Sequence, residues 1–486
     1  MRTHLFVCFY YFCHALTSKS NITLIRKHIN TTLFNHKKKM KQTAFVTLCL
    51  LFFSLATLGQ KSAWTLKQCL DYATENSDNI LKLRQQTNLS IEDTKQQKAA
   101  WLPTLSASSN HSISYRPFQE SATGFLNGNT ISSSVDKTSY NGSYGINAAW
   151  TVYNGNQTAN NIKVAKIATA QSELQTQIAV NSLKEQIVQL YINIMYTKEA
   201  LNVNRELLKQ DEVLYKRGQE LLEQGQIAKY ELLELQATVA NGKYDTINTL
   251  TQIDQYMLQL KQLLSLPMGT EFNIADITPD ESGTLAPIPE TETVYRQALS
   301  NRPEIKNAEL AISQSDLNYK IAKAGFLPSL SMSAGFGDNH SSGSDKSWDE
   351  QMKRNLDASV GLTLSIPIFD GRRNKTNTRK AQIQQTIAKL DKKDVEKELY
   401  YTIANYRLTA YNNQQKYIAG KEKQNYNQEN YDAVYTKAQI GTMNIVETLN
   451  ARSLLLSAKQ DALQSKYLTL YNREMLNFYA NNDIDI

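Results

Sequence analysis

Two stretches, 156–223 and 372–439, run for 68 residues each without a proline. Each starts directly behind a segment of alternating apolar and small polar residues, through "VYNGN" at 152–156 and "IFDGR" at 368–372. As a helix, 68 residues would be roughly 100 Å long. A chain that passes from strand straight into such a helix, twice, at positions 216 residues apart, has few architectures open to it.

The duplication covers more than the switch. "AAWLPTLSASS" (99–109) answers to "AGFLPSLSMSA" (324–334) at an offset of 225, and "GQIAKYELLELQA" (225–237) to "GTMNIVETLNARS" (441–453) at 216. The nine-residue change puts the extra length of the first copy between its two strands, where loop tips tolerate insertion. Each copy reads helix, strand, loop, strand, very long helix, break, helix. The segments are about 64–100, 104–115, 143–153, 156–223 and 227–264, then 292–325, 329–337, 357–369, 372–439 and 443–480. The chain thus divides into a leader (1–59), a first repeat (60–265), a linker (266–291) and a second repeat (292–486). The linker region holds four prolines and reads as irregular.

The leader has the layout of a secretory signal. "KKKMK" supplies a basic n-region, "TAFVTLCLLFFSLATLG" an apolar core, and Thr57 and Gly59 small residues before a cleavage at Gln60, with Met40 as the expected start. A membrane anchor is the other reading, but the apolar run falls short of the ~20 residues of a bilayer span. Cys49 follows Leu48 rather than a small residue, which argues against a lipoprotein signal. Eight of the 53 Lys and Arg residues lie in 1–59 with no acid, so the remainder is nearly neutral and offers no surface for nucleic acid. Only Cys69 and two histidines, His111 in a strand and His340 in a loop, stay beyond the leader. No disulfide, His-based metal site or His general base is expected.

The strands alternate cleanly. Tyr144, Ile146, Ala148, Trp150 and Val152 oppose Ser143, Gly145, Asn147 and Thr151; Leu356 to Ile368 alternate with Asp357, Ser359, Gly361, Thr363 and Ser365. Such alternation fits a soluble sandwich with one wet face. However, the polar face is nearly all Ser, Thr, Gly and Asn, and the lengths approach the 9–11 residues of a membrane strand. Apolar outward to lipid and small polar inward to water suits this better. Four strands cannot close around a lumen, and lipid tolerates no open edge, so copies of the chain must pool their strands by cyclic symmetry. The helices carry apolar residues at three and four, as at Val180, Leu183, Ile187, Leu190 and Ile194; a solvated coiled-coil arm is the alternative. Pro103 and Pro328 end a helix before a strand, and Gly155 and Gly371, behind Asn154 and Asp370, turn a strand into a helix.

In this order and duplicated, the "WLP" and "FLP" switches, the "YNG" and "FDG" switches and the two Gly-led motifs resemble the TolC-like outer-membrane efflux family across 60–486. The resemblance implies a mainly α fold with membrane β-strands. It implies a homotrimer with a 12-stranded β-barrel in the outer membrane, continuous with a 12-helix α-barrel reaching through the periplasm. It implies the exit duct of a tripartite efflux pump or type I secretion system, with a periplasmic adaptor, an inner-membrane pump reached through it, and outer-membrane lipid as partners. The adaptor is expected at the tips, Gly225, Gln226 and Ile227 beside Gly441, Thr442 and Met443. Glu447 and Glu231 stand where the family's constriction carboxylates would be, or else are solvated carboxylates near helix N-termini; Glu234 reads as surface. The chain departs from the family at Met443, where a basic residue is usual, and at Asn450, where a second acid is usual. This bears on the closed-state salt bridge and on a second carboxylate ring. With no phosphate-binding Gly loop and no G-x-S-x-G, the chain reads as a passive duct, without catalytic residues, metal or cofactor. A periplasmic coiled-coil scaffold without a pore is the main rival; a specific porin or an outer-membrane enzyme ranks below it.

Overall fold

A computed structural model describes residues 63–118, 122–126, 129–133, 136–276, 281–442, 444–481 and 484. The leader, with Met40, Cys49 and the cleavage site, and the tip residue Met443 lie outside the described residues. In the first repeat, α1 (Leu66–Asn76) and α2 (Asp78–Ala99) lead to β1 (Thr104–Tyr115), a hairpin of β2 (Ala122–Leu126) and β3 (Asn129–Ser133), and β4 (Thr138–Tyr153). The long α3 (Gln157–Glu223) and α4 (Lys229–Leu263) follow. A short α5 (Glu281–Leu285) precedes the second repeat: α6 (Thr291–Asn301), α7 (Pro303–Ala324), β5 (Ser329–Ser341), α8 (Trp348–Arg354), β6 (Asp357–Ser365), α9 (Arg373–Gln439) and α10 (Ile445–Asn481).

Several sequence expectations are corrected. The helix expected over 64–100 is two, because Ser77 takes an extended conformation between α1 and α2. The helix over 292–325 is likewise broken at extended Arg302, with Pro303 opening α7, since proline suits a helix only in its first turn. Both strand-joining loops contain structure, the β2–β3 hairpin and α8, and the linker contains α5. His340 lies in β5, not in a loop, because that strand runs to Ser341; its ring lies over Gly142, which has no side chain to block it.

The switches repeat to the residue. After α2, Trp101 N–H and Leu102 N–H donate to Lys98 and Ala99 carbonyls, then Pro103 begins the extended chain; after α7, Phe326 and Leu327 donate to Lys323 and Ala324, then comes Pro328. At the reverse switch Gly155 and Asn156 both have φ of +66°, and Gly371 and Arg372 have +62° and +74°. The capping oxygens come from Asn154 and Asp370, two residues upstream of the N-cap residues Asn156 and Arg372, whose own side chains make no cap bond. Asn154 Oδ1 accepts from Thr158 N–H at 3.3 Å and Asp370 Oδ2 from Asn374 N–H at 2.7 Å. These acceptors satisfy amides that a helix start leaves unpaired.

The strands form one antiparallel sheet in the order β1-β4-β5-β6. Its register puts Ala107, Ile146, Phe336 and Ala358 in one row and Leu105, Ala148, Ala334 and Val360 in another. The other face carries rows such as Ser106, Asn147, Gly335 and Ser359. The period-two pattern therefore builds one continuous apolar face, exposed in the single chain at Leu105, Ile113, Val360, Leu362 and Leu364. Among the described residues no helix is long and apolar enough to cross a membrane.

The main core lies midway along the helices. Ile187, Tyr191, Ile194 and Met195 of α3 pack with Leu66, Leu70 and the buried thiol of Cys69 on α1, Leu260 of α4 and Met475 of α10. Trp64 bonds to the linker backbone, donating to Asn273 O and accepting from Ala275 N–H, both at 2.8 Å. A second core joins α6, α9 and α10 through Val294, Ile403 and Phe478. Between them sits Arg302, 3% exposed in its side chain. It pairs with Glu304 at 2.8 Å and Glu185 at 3.9 Å, and stacks on Tyr479 at 4.3 Å. Burial pushes the Glu185 carboxyl up, and the Arg302 guanidinium opposes it.

From the core toward the far helix ends, α3 and α10 run antiparallel along a charged seam. Glu199 accepts from Tyr467 OH at 2.7 Å, Glu206 pairs with Lys459 at 3.4 Å, and Asp211 takes Arg452 bidentately at 2.6 to 2.8 Å. The acids are on the first repeat and the partners on the second. Asp211, with 2% of its side chain exposed, is the most buried of the acids; burial pushes its carboxyl up while Arg452 opposes that shift. Removing one partner of a buried pair strands the other charge. Arg302→Ala should therefore lower the unfolding free energy by about 3 kcal/mol, read by urea unfolding in detergent. Asp211→Ala and Arg452→Ala should show a coupling of about 2 kcal/mol in a double-mutant cycle; additive losses would mean that the bond contributes nothing.

Candidate functional site

Beyond this seam lie the turns joining α3 to α4 and α9 to α10. Both turns use one motif. Gly225 N–H donates to Leu222 O at 2.9 Å and Gln226 N–H to Leu221 O at 2.8 Å; Gly441 N–H donates to Ala438 O and Thr442 N–H to Lys437 O, both at 3.1 Å. This is the Schellman ending, which needs a left-handed residue after the helix. Gly225 and Gly441 supply it, with φ of +70° and +76°.

The two turns touch. A side chain at Gly441 would meet Leu221 Cδ2 at 3.2 Å and Gln226 Oε1 at 3.3 Å. Arg217 on α3 donates Nε–H to the carbonyl of Gln439 at the end of α9, at 2.8 Å. Beneath the turns Leu214, Leu235, Ala438 and Ile445 form a small core flanked by Ile227. The structure thus brings together Gly225, Gln226, Ile227, Gly441 and Thr442, segments more than 200 residues apart in sequence. Gly225 has no atom within 4 Å of where a Cβ would stand, so its surface is open.

The two carboxylates differ. Glu231 reaches back to accept from Ala228 N–H at 2.8 Å and so caps α4. Glu447 lies exposed in the first turn of α10 and makes no side-chain hydrogen bond or ion pair among the described residues. Asn450 is exposed one turn on. Glu234 is not simply a surface residue: its Oε2 is buried and has no hydrogen-bond partner among the described residues. Among the described residues no group of three or more His, Cys, Asp or Glu side chains is placed to hold a metal.

Sequence reasoning missed Arg217, Asp211 and Arg452, the residues that bind the two repeats near the turns. An acid on one helix and a base on another carry no mutual signal in the sequence. The heptad-like spacing of Arg452, Lys459 and Lys466 is the one clue it offers.

A sequence model of the outer membrane efflux protein family matches residues 69–265 and 294–482. The alkaline protease secretion protein AprF of Pseudomonas aeruginosa is 23% identical over 297 residues, which are 60% of this chain and 60% of AprF. The cation efflux system protein CusC of Escherichia coli K12 is 24% identical over 363 residues, 72% of this chain and 73% of CusC. A crystal structure of CusC superposes with a TM-score of 0.70 at 19% identity, covering 87% of this chain and 95% of that one. Duplicated halves, paired switches and these matches lead to one conclusion: the chain belongs to the outer membrane efflux protein family.

Proposed function

We propose that three copies of this chain close a 12-stranded barrel in the outer membrane and a 12-helix barrel beneath it, forming a passive exit duct. The observation that carries this reading is the sheet: four strands, one apolar face and two edges, with β4 and β6 each continuing into a helix of 67 residues. Three such sheets give a closed ring with lipid outside and hydroxyls and amides within. The helices at 1.5 Å per residue carry the wall roughly 100 Å further. AprF is a secretion protein and CusC a cation efflux protein; this chain resembles the first in sequence and the second in sequence and fold. The cargo is then set by a periplasmic adaptor and an inner-membrane pump rather than by the duct.

The adaptor grips the paired turns at Gly225 to Ile227 and Gly441 to Met443. Glu447, exposed and repeated three times around the axis, forms a carboxylate ring at the neck; Glu231, already a helix cap, contributes less.

A duct migrates as a heat-modifiable trimer and conducts in planar bilayers, whereas a coiled-coil scaffold extracts in high salt and passes no current. In such bilayers Glu447→Gln should weaken block by multivalent cations, and unchanged block would remove the ring. Gly441→Val places a β-branched residue at φ of +76°. It should impair export from cells while leaving the trimer in the membrane, and normal export would discredit the adaptor contact.

A further inference from the structure

The second repeat turns basic where the first does not. Behind β6 the chain reads "IFDGRRNKTNTRKAQI" (368–383), with Arg372, Arg373, Lys375, Arg379 and Lys380 against one acid, Asp370. The counterpart behind β4, "VYNGNQTANNIKVAKI" (152–167), holds two lysines and no acid. The fold does not need the difference, since both switches turn through the same two left-handed residues. All five cations are exposed. Among the described residues none of them pairs with an acid: Arg379 donates to Gln382 Oε1 at 2.8 Å, and Asp370 Oδ2 accepts from Asn374 N–H.

The cations adjoin apolar surface. Arg372 and Lys375 line one groove with Phe326, Ile368 and Phe369, and a second groove that shares Phe326, Arg372 and Lys375 continues past Arg379. Phe326, Ile368 and Phe369 are 53%, 96% and 89% exposed. Tyr153, the counterpart of Phe369 at the offset of 216, faces Leu330 on the apolar side of the sheet. In the first repeat β4 lies between β1 and β5, and α3 packs on both α2 and α7. Tyr153, Asn156 and Lys163 are exposed even so. Their counterparts Phe369, Arg372 and Arg379 therefore stand on a face that flanking copies leave open.

Resting on the duct reading above, we propose that this band binds the headgroups of anionic phospholipid in the leaflet on the helix side of the membrane. The end of the sheet is the level at which hydrocarbon gives way to headgroups. Phe326, Ile368 and Phe369 reach into the acyl boundary, and Arg372, Lys375 and Arg379 meet the phosphates. Arg372 to Arg379 span about 10 Å along α9. The polar layer of one leaflet is about 5–8 Å deep, and long basic stems reach back into it. The guanidinium fork of Arg372 and of Arg379 matches two phosphate oxygens. An acidic protein would meet the charge but leave the apolar rim uncovered, whereas a lipid answers both. The neutral counterpart in the first repeat makes the site one per chain.

The test uses the full chain carrying Phe369→Trp, reconstituted in phosphatidylcholine vesicles with brominated phosphatidylglycerol or, separately, brominated phosphatidylcholine. The quenching gained over the parent chain reads which lipid fills the groove. Phosphatidylglycerol should be favoured by about fivefold, the preference that one Lys or Arg near an anionic surface supplies, and the preference should shrink as salt is raised. Arg372→Gln, Lys375→Gln and Arg379→Gln together should abolish it. Arg372→Lys with Arg379→Lys should keep it, and so should Lys163→Gln with Lys166→Gln in the first repeat. Equal quenching by the two lipids, a preference indifferent to salt, or one that survives loss of the three cations overturns the proposal; a heat-modifiable, conducting trimer in that case keeps the duct reading. If the parent chain forms no trimer, the duct reading fails first and the lipid site fails with it.

Discussion

Everything in this structure depends on backbone groups that the chain cannot pair alone. A four-stranded sheet whose terminal strands each have one neighbour presents two rows of open amides and carbonyls. In water these could be solvated, but the apolar face beside them could not be left wet without cost. Covering side chains such as Leu105, Val360, Leu362 and Leu364 is worth about 1.5–3 kcal/mol each. Lipid can cover the face and cannot satisfy the edges. A closed ring of further strands with the same pattern does both, as in the duct proposed above.

The helices meet a related constraint differently. They are too long and too polar to bury a broad face, so they are held at intervals. Mid-length, apolar layers around Ile187 and Ile403 carry the packing, with Arg302 pinning α3, α7 and α10 where the two cores meet. Farther out the apolar layers thin to small groups around Leu207 and Leu214, and charge takes over along α3 and α10. A buried pair such as Asp211 and Arg452 stabilises less than apolar packing of equal size, but it punishes misregister strongly. Near a tip whose two turns must stay side by side, register matters more than net stability.

Much of the fold was legible because its signals are local and doubled. Gly after "VYN" and "IFD", Pro after "WL" and "FL", and period two in the strands each dictate a backbone conformation without reference to a partner. The breaks at Ser77 and Arg302 were locally signalled too, by Ser before an acidic first turn and by Pro303, but the helical periodicity on either side masked them. Of the tip, the two glycines were readable, since φ above +60° has a residue preference. Glu231 was readable as a carboxylate but not as a cap, because its role depends on the turn the chain takes at Ala228.

The sequence by itself determined the repeat, the alternation that divides the sheet into two chemistries, and the places where strand becomes helix. Tertiary structure alone decided which side chains from opposite repeats meet: Asp211 with Arg452, Arg217 with the Gln439 carbonyl, Gln226 with Gly441. The reason is physical. Backbone preference acts over a few residues and is written where it acts. A contact across 200 residues or more is fixed by the rigid lengths of the helices between, and no single stretch of sequence records it.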